Sequence, residues 1–162
     1  MALLIKNEDI IAKIKLLAES ISNSHRESKD INPPIMICVL KGGFLFFSEL
    51  IKQMEIPCDI DFISVKSYNG KDNSQGVSIL SDITTDITNR QVYIVDDIVD
   101  SGNTMHTLIN HFNSKNASKV RIVTLLKRKI STYPINYYIF EIADSAFVYG
   151  YGLDLKIGRA HV

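Results

Sequence analysis

The chain is predicted to fold as an α/β domain: a mostly parallel, twisted sheet flanked by helices. Three features carry this. Short, continuous apolar runs have strand length, glycine or polar turns follow them directly, and stretches with three-and-four apolar spacing lie between them. Apolar residues recur at Ile10, Ile11, Ile14, Leu17, Ala18 and Ile21, which predicts an amphipathic helix over 7–22. A polar stretch closed by Pro33-Pro34 releases the run 35–40, read as a buried strand. The turn Lys41-Gly42-Gly43 leads into a helix over 44–54, where Phe47, Leu50, Ile51 and Met54 share one face. Residues 59–65 read as a strand, and the polar, Gly- and Asn-containing stretch 67–76 as a long mobile loop. Then come a strand over 91–97, a helix over 104–112 and strands over 120–126 and 136–142.

Composition narrows the function classes. With 162 residues, 46% hydrophobic and 22% charged, the chain fits a single globular domain spanning 1–162. Eighteen basic residues balance 18 acidic ones. Neutral charge argues against a nucleic-acid or anionic-membrane partner. No apolar run reaches the roughly 18 residues of a spanning helix, and Lys6, Glu8 and Asp9 interrupt the N-terminal apolar run too early for a signal peptide. A cytoplasmic protein is expected. Cys38 and Cys58 lack CxxC spacing and are expected to be buried free thiols. The four histidines are scattered, without metal-ligand spacing.

The most informative segment runs from Val92 to Thr104. An apolar strand meets the adjacent acids Asp96 and Asp97, then Asp100, then the turn Ser101-Gly102-Asn103-Thr104 that opens a helix. Unpaired N–H groups at a helix start suit a phosphate. Capping explains Asp100 or Ser101 alone. It does not explain two adjacent acids at the end of a buried strand, which lose solvation and repel each other unless something compensates them. A cation or sugar hydroxyls beside a phosphate would do so. Walker A is excluded, because GxxxxGK[ST] does not occur.

This segment resembles the phosphoribosyl diphosphate (PRPP) signature of the type I phosphoribosyltransferases. Together with Leu40-Lys41-Gly42-Gly43, Ser67-Tyr68 and the run from Phe147 to Asp154, in that order, it resembles the hypoxanthine-guanine branch of that family. The resemblance implies a small hood formed by the N- and C-terminal segments. It implies that Asp96 and Asp97 hold the ribose hydroxyls and Mg2+, while Ser101, Gly102, Asn103 and Thr104 take the 5-phosphate. Asp100 would be the catalytic base near purine N7 and would also belong to the PRPP-binding set. Lys41 and Gly42 would meet the pyrophosphate, after a strained peptide between Leu40 and Lys41. Ser67 and Tyr68 would belong to a closing lid loop. Phe147 would stack on the purine, the Val148 backbone would read its edge, and Asp154 would bind a second Mg2+.

The family's purine-reading lysine falls in Lys127-Arg128-Lys129. Gap-free alignment from Leu125-Leu126 puts Arg128 there, and a one-residue shift puts Lys127 there. Past Leu155 the chain departs from the family. Residues 157–162 resemble a translated sequencing adapter, so a chain truncated after about residue 155 is expected, and Arg159 receives no role.

The resemblance implies a purine-salvage enzyme that transfers the phosphoribosyl group of PRPP to hypoxanthine, with guanine as a further candidate base, and self-association as a dimer or tetramer. Two alternatives remain open. One is the same reaction on xanthine or uracil; the other is a non-catalytic PRPP-sensing regulator.

Overall fold

A computed structural model describes residues 5–69, 75–131 and 133–153. The elements follow as α1 (Asn7–Ser28), β1 (Ile35–Leu40), α2 (Phe44–Gln53), β2 (Asp59–Asn69), β3 (Gln75–Ser81), β4 (Gln91–Val99), α3 (Asn103–Ser114), β5 (Lys119–Arg128) and β6 (Tyr137–Ile142). The strands form one six-stranded sheet in the order β3-β2-β1-β4-β5-β6. Every pairing is parallel except β2 with β3.

Both faces of the sheet are covered, as the doubly apolar strands require. Ile35 to Val39 and Gln91 to Asp97 are buried without a break. One face packs against α1 and α2 through Ile14, Ala18, Ile21, Phe46 and Leu50. The other packs against α3 through Met105, Leu108 and Phe112. Ala146, Val148 and Leu153 join the α1 side, so segments from both ends of the chain share one cluster.

Two expectations need correction. The helix expected to end at residue 22 continues to Ser28, because Ser22 and His25 extend its buried face with polar residues that an apolar-spacing count passes over. Of the expected loop over 67–76, the described residues, 67–69 and 75–76, are strand. Ser67↔Val77 and Tyr68↔Gly76 are ladder pairs of an antiparallel hairpin. In its half-exposed edge strand Val77 and Ile79 are half-buried while Ser78 and Leu80 are exposed, so the apolar Leu80 breaks the alternation that would mark a strand. Of the expected buried thiols, Cys38 is fully buried, while Cys58 is half-buried. Burial, with the charges of Asp96 and Asp97, pushes the Cys38 thiol up to about 12. It is unreactive at neutral pH.

An ion-pair cluster ties the end of the hairpin to α3. Asp82, just after β3, accepts from His111 Nε2 at 2.9 Å and meets Lys115 Nζ at 3.1 Å. Burial alone would raise the Asp82 carboxyl, but these partners and the Ile83 N–H outweigh it and hold the group below its ordinary value. Its contribution is therefore present above the unfolded carboxylate pKa and fades as pH falls through the lower folded value. Asp82→Asn is expected to cost about 1 kcal/mol at pH 7, or about 2–4 °C in Tm. The difference should vanish in strong acid, and melting curves across pH check it.

Among the described residues, no helix is long and apolar enough to cross a membrane.

Candidate active site

Chain direction in the sheet locates the site. From β1 the order runs outward through β2 on one side and β4 on the other, so β1 and β4 flank a topological switch point. The pair stays in register from Ile35↔Val92 to Cys38↔Val95. Beyond it, the turn after β1 and the end of β4 enclose a crevice. The Leu40–Lys41 peptide is cis, at the position where the resemblance expects a strained one.

Asp96 and Asp97 lie at this crevice, each only 8% exposed. Asp96 Oδ1 accepts from the Asp97 N–H at 2.9 Å, and Asp97 Oδ1 from the Ile98 N–H at 2.8 Å. Burial, followed by the neighbouring Asp97 charge, pushes the Asp96 carboxyl well above its usual range. Burial likewise raises Asp97. Neither acid has a cationic side chain against it among the described residues. The pair therefore sits in an environment that favours an incoming positive charge or hydroxyl donors.

Asp96, Asp100, Ser101, Gly102, Asn103 and Thr104 line a hollow of about 80 Å³. That is far below the roughly 300 Å³ at which pockets for drug-sized ligands begin, and suits one small group rather than a whole nucleotide. Gly102 caps α3 at φ +91°, a conformation only glycine adopts freely. The Asn103 N–H reaches Ser101 Oγ at 3.5 Å. Ser67, on the hairpin, lies across the rim with its Oγ 3.4 Å from Thr104 Oγ1. The hairpin thus touches the phosphate-sized hollow.

The other expected residues sort clearly. Lys41 is exposed on the turn, and Gly42 packs directly against Asp97. Phe147 is 70% exposed, so it is no core residue; its ring lies 6.4 Å from that of Tyr149. Val148 packs against the core. Lys127 and Arg128 point apart, as strand neighbours must. Lys127 Nζ sits 3.5 Å from Glu141 and 5.0 Å over the Tyr138 ring. Arg128 instead reaches Asp100 through Nε. Tyr68 is placed only as a backbone position in β2; its side chain, Asp154 and residues 157–162 lie outside the described residues.

Two neighbours escaped the sequence reading. Any Cβ at Gly102 would lie 2.6 Å from Tyr133 Cβ, so Tyr133 packs directly against the Gly102 turn. A Cβ at Gly152 would lie 3.1 Å from the Gly42 carbonyl oxygen, so the C-terminal segment backs the turn after β1. No local sequence pattern marks Tyr133.

Comparison with known proteins agrees with this geometry. The phosphoribosyl transferase domain family matches residues 4–156. A hypoxanthine-guanine phosphoribosyltransferase of Streptococcus pyogenes is 36% identical over 94% of this chain and 84% of its own length. Its Mycobacterium tuberculosis counterpart is 38% identical over 94% and 78%. Among solved structures, a Bacillus anthracis hypoxanthine-guanine phosphoribosyltransferase holding HEPES in its active site superposes with a TM-score of 0.89 at 32% identity, covering 100% of this chain and 94% of that one. A Trypanosoma cruzi hypoxanthine phosphoribosyltransferase in complex with the product IMP gives 0.86 at 30%, covering 96% and 87%. Matched by the family along residues 4–156 and by hypoxanthine-guanine relatives along nearly its whole length, the chain belongs to the hypoxanthine-guanine branch of the type I phosphoribosyltransferase family.

Proposed function

We propose that the chain transfers the 5-phosphoribosyl group of PRPP to hypoxanthine or guanine, giving IMP or GMP and pyrophosphate. The single observation that carries the reading is the acid pair Asp96 and Asp97, without a cationic partner among the described residues, beside a phosphate-sized hollow at a helix start. Backbone N–H groups of Ser101, Gly102, Asn103 and Thr104 hold the 5-phosphate, helped by the positive end of α3. Asp96 and Asp97 accept from the ribose hydroxyls. Lys41 and the Gly42 N–H face the pyrophosphate.

The C1–O bond to pyrophosphate breaks, its electron pair leaves with pyrophosphate, and purine N9 forms the new C1–N bond. The proton on N7 passes to Asp100. Positive charge on the ribose ring is stabilised by the nearby carboxylates, and negative charge on the leaving group by Lys41. The hairpin bearing Ser67 and Tyr68 shields the cationic sugar from water. Phe147 offers an exposed ring for stacking, and the Val148 backbone lies next to it. Arg128 Nη2 takes no hydrogen bond among the described residues, which supports Arg128 as the donor to the purine C6 oxygen.

Asp96 and Asp97 offer hard oxygen donors without a cationic partner among the described residues, a set that fits Mg2+. When bound, Mg2+ offsets charge on the departing pyrophosphate. The same reading expects a cytoplasmic, self-associating enzyme. Exposed Phe44 and Leu45 on α2 and Ile60 and Phe62 on β2 supply apolar surface for contact between copies. A turnover assay with PRPP and Mg2+ against hypoxanthine, guanine, xanthine, adenine and uracil tests the reading. Turnover with hypoxanthine and guanine is expected; turnover with uracil alone would overturn it. Lys127→Ala should leave the base KM unchanged, because Lys127 points to Glu141.

A further inference from the structure

Arg128 makes more contacts than a single purine donor needs. It closes β5, and its guanidinium reaches two separate parts of the site. Nε donates to Asp100 Oδ1. Nη1 points into a cage of three backbone carbonyl oxygens: Ala143 at 3.1 Å, Asp144 at 3.1 Å and Ala146 at 2.9 Å. Those carbonyls belong to the turn after β6 that leads directly into Phe147 and Val148. The turn is tightened by the Ala146 N–H donating to the Ala143 carbonyl at 3.0 Å, and pinned by the Ile130 N–H donating to Asp144 Oδ1 at 2.7 Å. The Arg128 side chain is 19% exposed, against 64% for Asp100. The half-exposed acid is thus held by a better-buried arm.

We propose that Arg128 is a positioning residue: one guanidinium joins the base Asp100 to the turn that presents Phe147 and Val148, so that seating the purine and aligning its proton acceptor become a single event. The inference rests on the assignment of Asp100 as the base. The lysine that the family resemblance expects here would not serve in the same way. Lysine places its three donors on one nitrogen, whereas arginine spreads five along a rigid planar fork. Nε and Nη1 lie on different atoms of that fork, and each has its own target. A residue that only closed the turn would leave Asp100 untouched, and one that only read the purine would not need three carbonyl acceptors.

Three measurements test this on the full chain. Arg128→Lys and Arg128→Ala should each lower kcat/KM for hypoxanthine about 10²-fold, the cost of a misplaced catalytic group, through both kcat and the base KM. The KM for PRPP should hold. In a double-mutant cycle, Arg128→Ala in an Asp100→Asn background should cost no further kcat, because the arm then aligns a group that cannot take a proton. Finally, Asp100→Ala leaves Arg128 in place and removes one of its anchors. Amide exchange at Ala146 should then quicken about tenfold, read by hydrogen-exchange mass spectrometry.

Full additivity in the cycle would overturn the proposal, and unchanged exchange at Ala146 in Asp100→Ala would do so even if both Arg128 variants fail to fold. Wild-type turnover separates the two readings. If wild type turns over hypoxanthine while the Arg128 variants match it in kcat and base KM, the arm is wrong and the activity stands. If wild type turns over no purine, the activity itself is wrong.

Discussion

Asp100→Asn is expected to lower kcat about 10²- to 10⁴-fold, the usual contribution of a general base, while PRPP affinity stays near wild type. The two halves of this result come from different parts of the site. PRPP meets the buried pair Asp96 and Asp97 and the helix start, and at the Asp100 edge of that hollow the substitution keeps the side-chain shape and removes only its charge. Asp100 stands at the rim, with its side chain 64% exposed and within reach of an incoming base. Asparagine keeps the shape and an oxygen that can accept from Arg128 Nε, so the loop geometry survives. It cannot take up a proton. Steady-state kinetics gives the first half and calorimetric titration of PRPP with Mg2+ the second. Undiminished turnover would remove Asp100 from the role of base.

What could be read from the sequence follows from what side-chain patterns record. Strands β1 and β4 are buried on both faces and show up as unbroken apolar runs. The acids at the end of β4 were legible for the same reason: two adjacent carboxylates are anomalous only because an apolar run delivers them into the interior. Elements whose faces are half polar were not legible. The last turns of α1 bury Ser22 and His25, and β3 is a half-exposed edge strand paired to one neighbour. Their stability comes from partners distant in sequence, which periodicity cannot show.

The basic cluster illustrates the limit at the level of one residue. Composition alone could not choose between Lys127 and Arg128, because a one-residue shift of alignment serves either. Strand geometry separates them: adjacent residues point to opposite faces, and the observed pairing sends Lys127 to Glu141 and Arg128 to Asp100. The carbonyl cage around Arg128 had no sequence signal, since Ala143, Asp144 and Ala146 contribute backbone atoms only.

Gly42→Ala and Gly43→Ala, one residue apart, are expected to fail in different ways. A Cβ at Gly42 would overlap Asp97 Oδ2 and lie 2.8 Å from its Cγ. What must give is a short side chain held by the Ile98 N–H, so the cost falls on the placement of the acid pair. Displacing a binding group by about 1 Å costs on the order of 10²-fold in efficiency. Gly42→Ala should therefore lower kcat/KM for PRPP by about that factor with little change in Tm. A Cβ at Gly43 would meet backbone instead, 2.9 Å from the Val39 carbonyl oxygen and 3.1 Å from that of Val95. These atoms belong to the central strands and cannot rotate away, so the whole turn must shift. Overpacking of this kind costs about 1–3 kcal/mol, and each kcal/mol lowers Tm by about 2–4 °C in a domain of this size. Thermal melts alongside PRPP kinetics separate the two. If Gly42→Ala lost stability but kept its kinetics, the contact with Asp97 would be ordinary packing, and the turn after β1 would have no part in placing the acids.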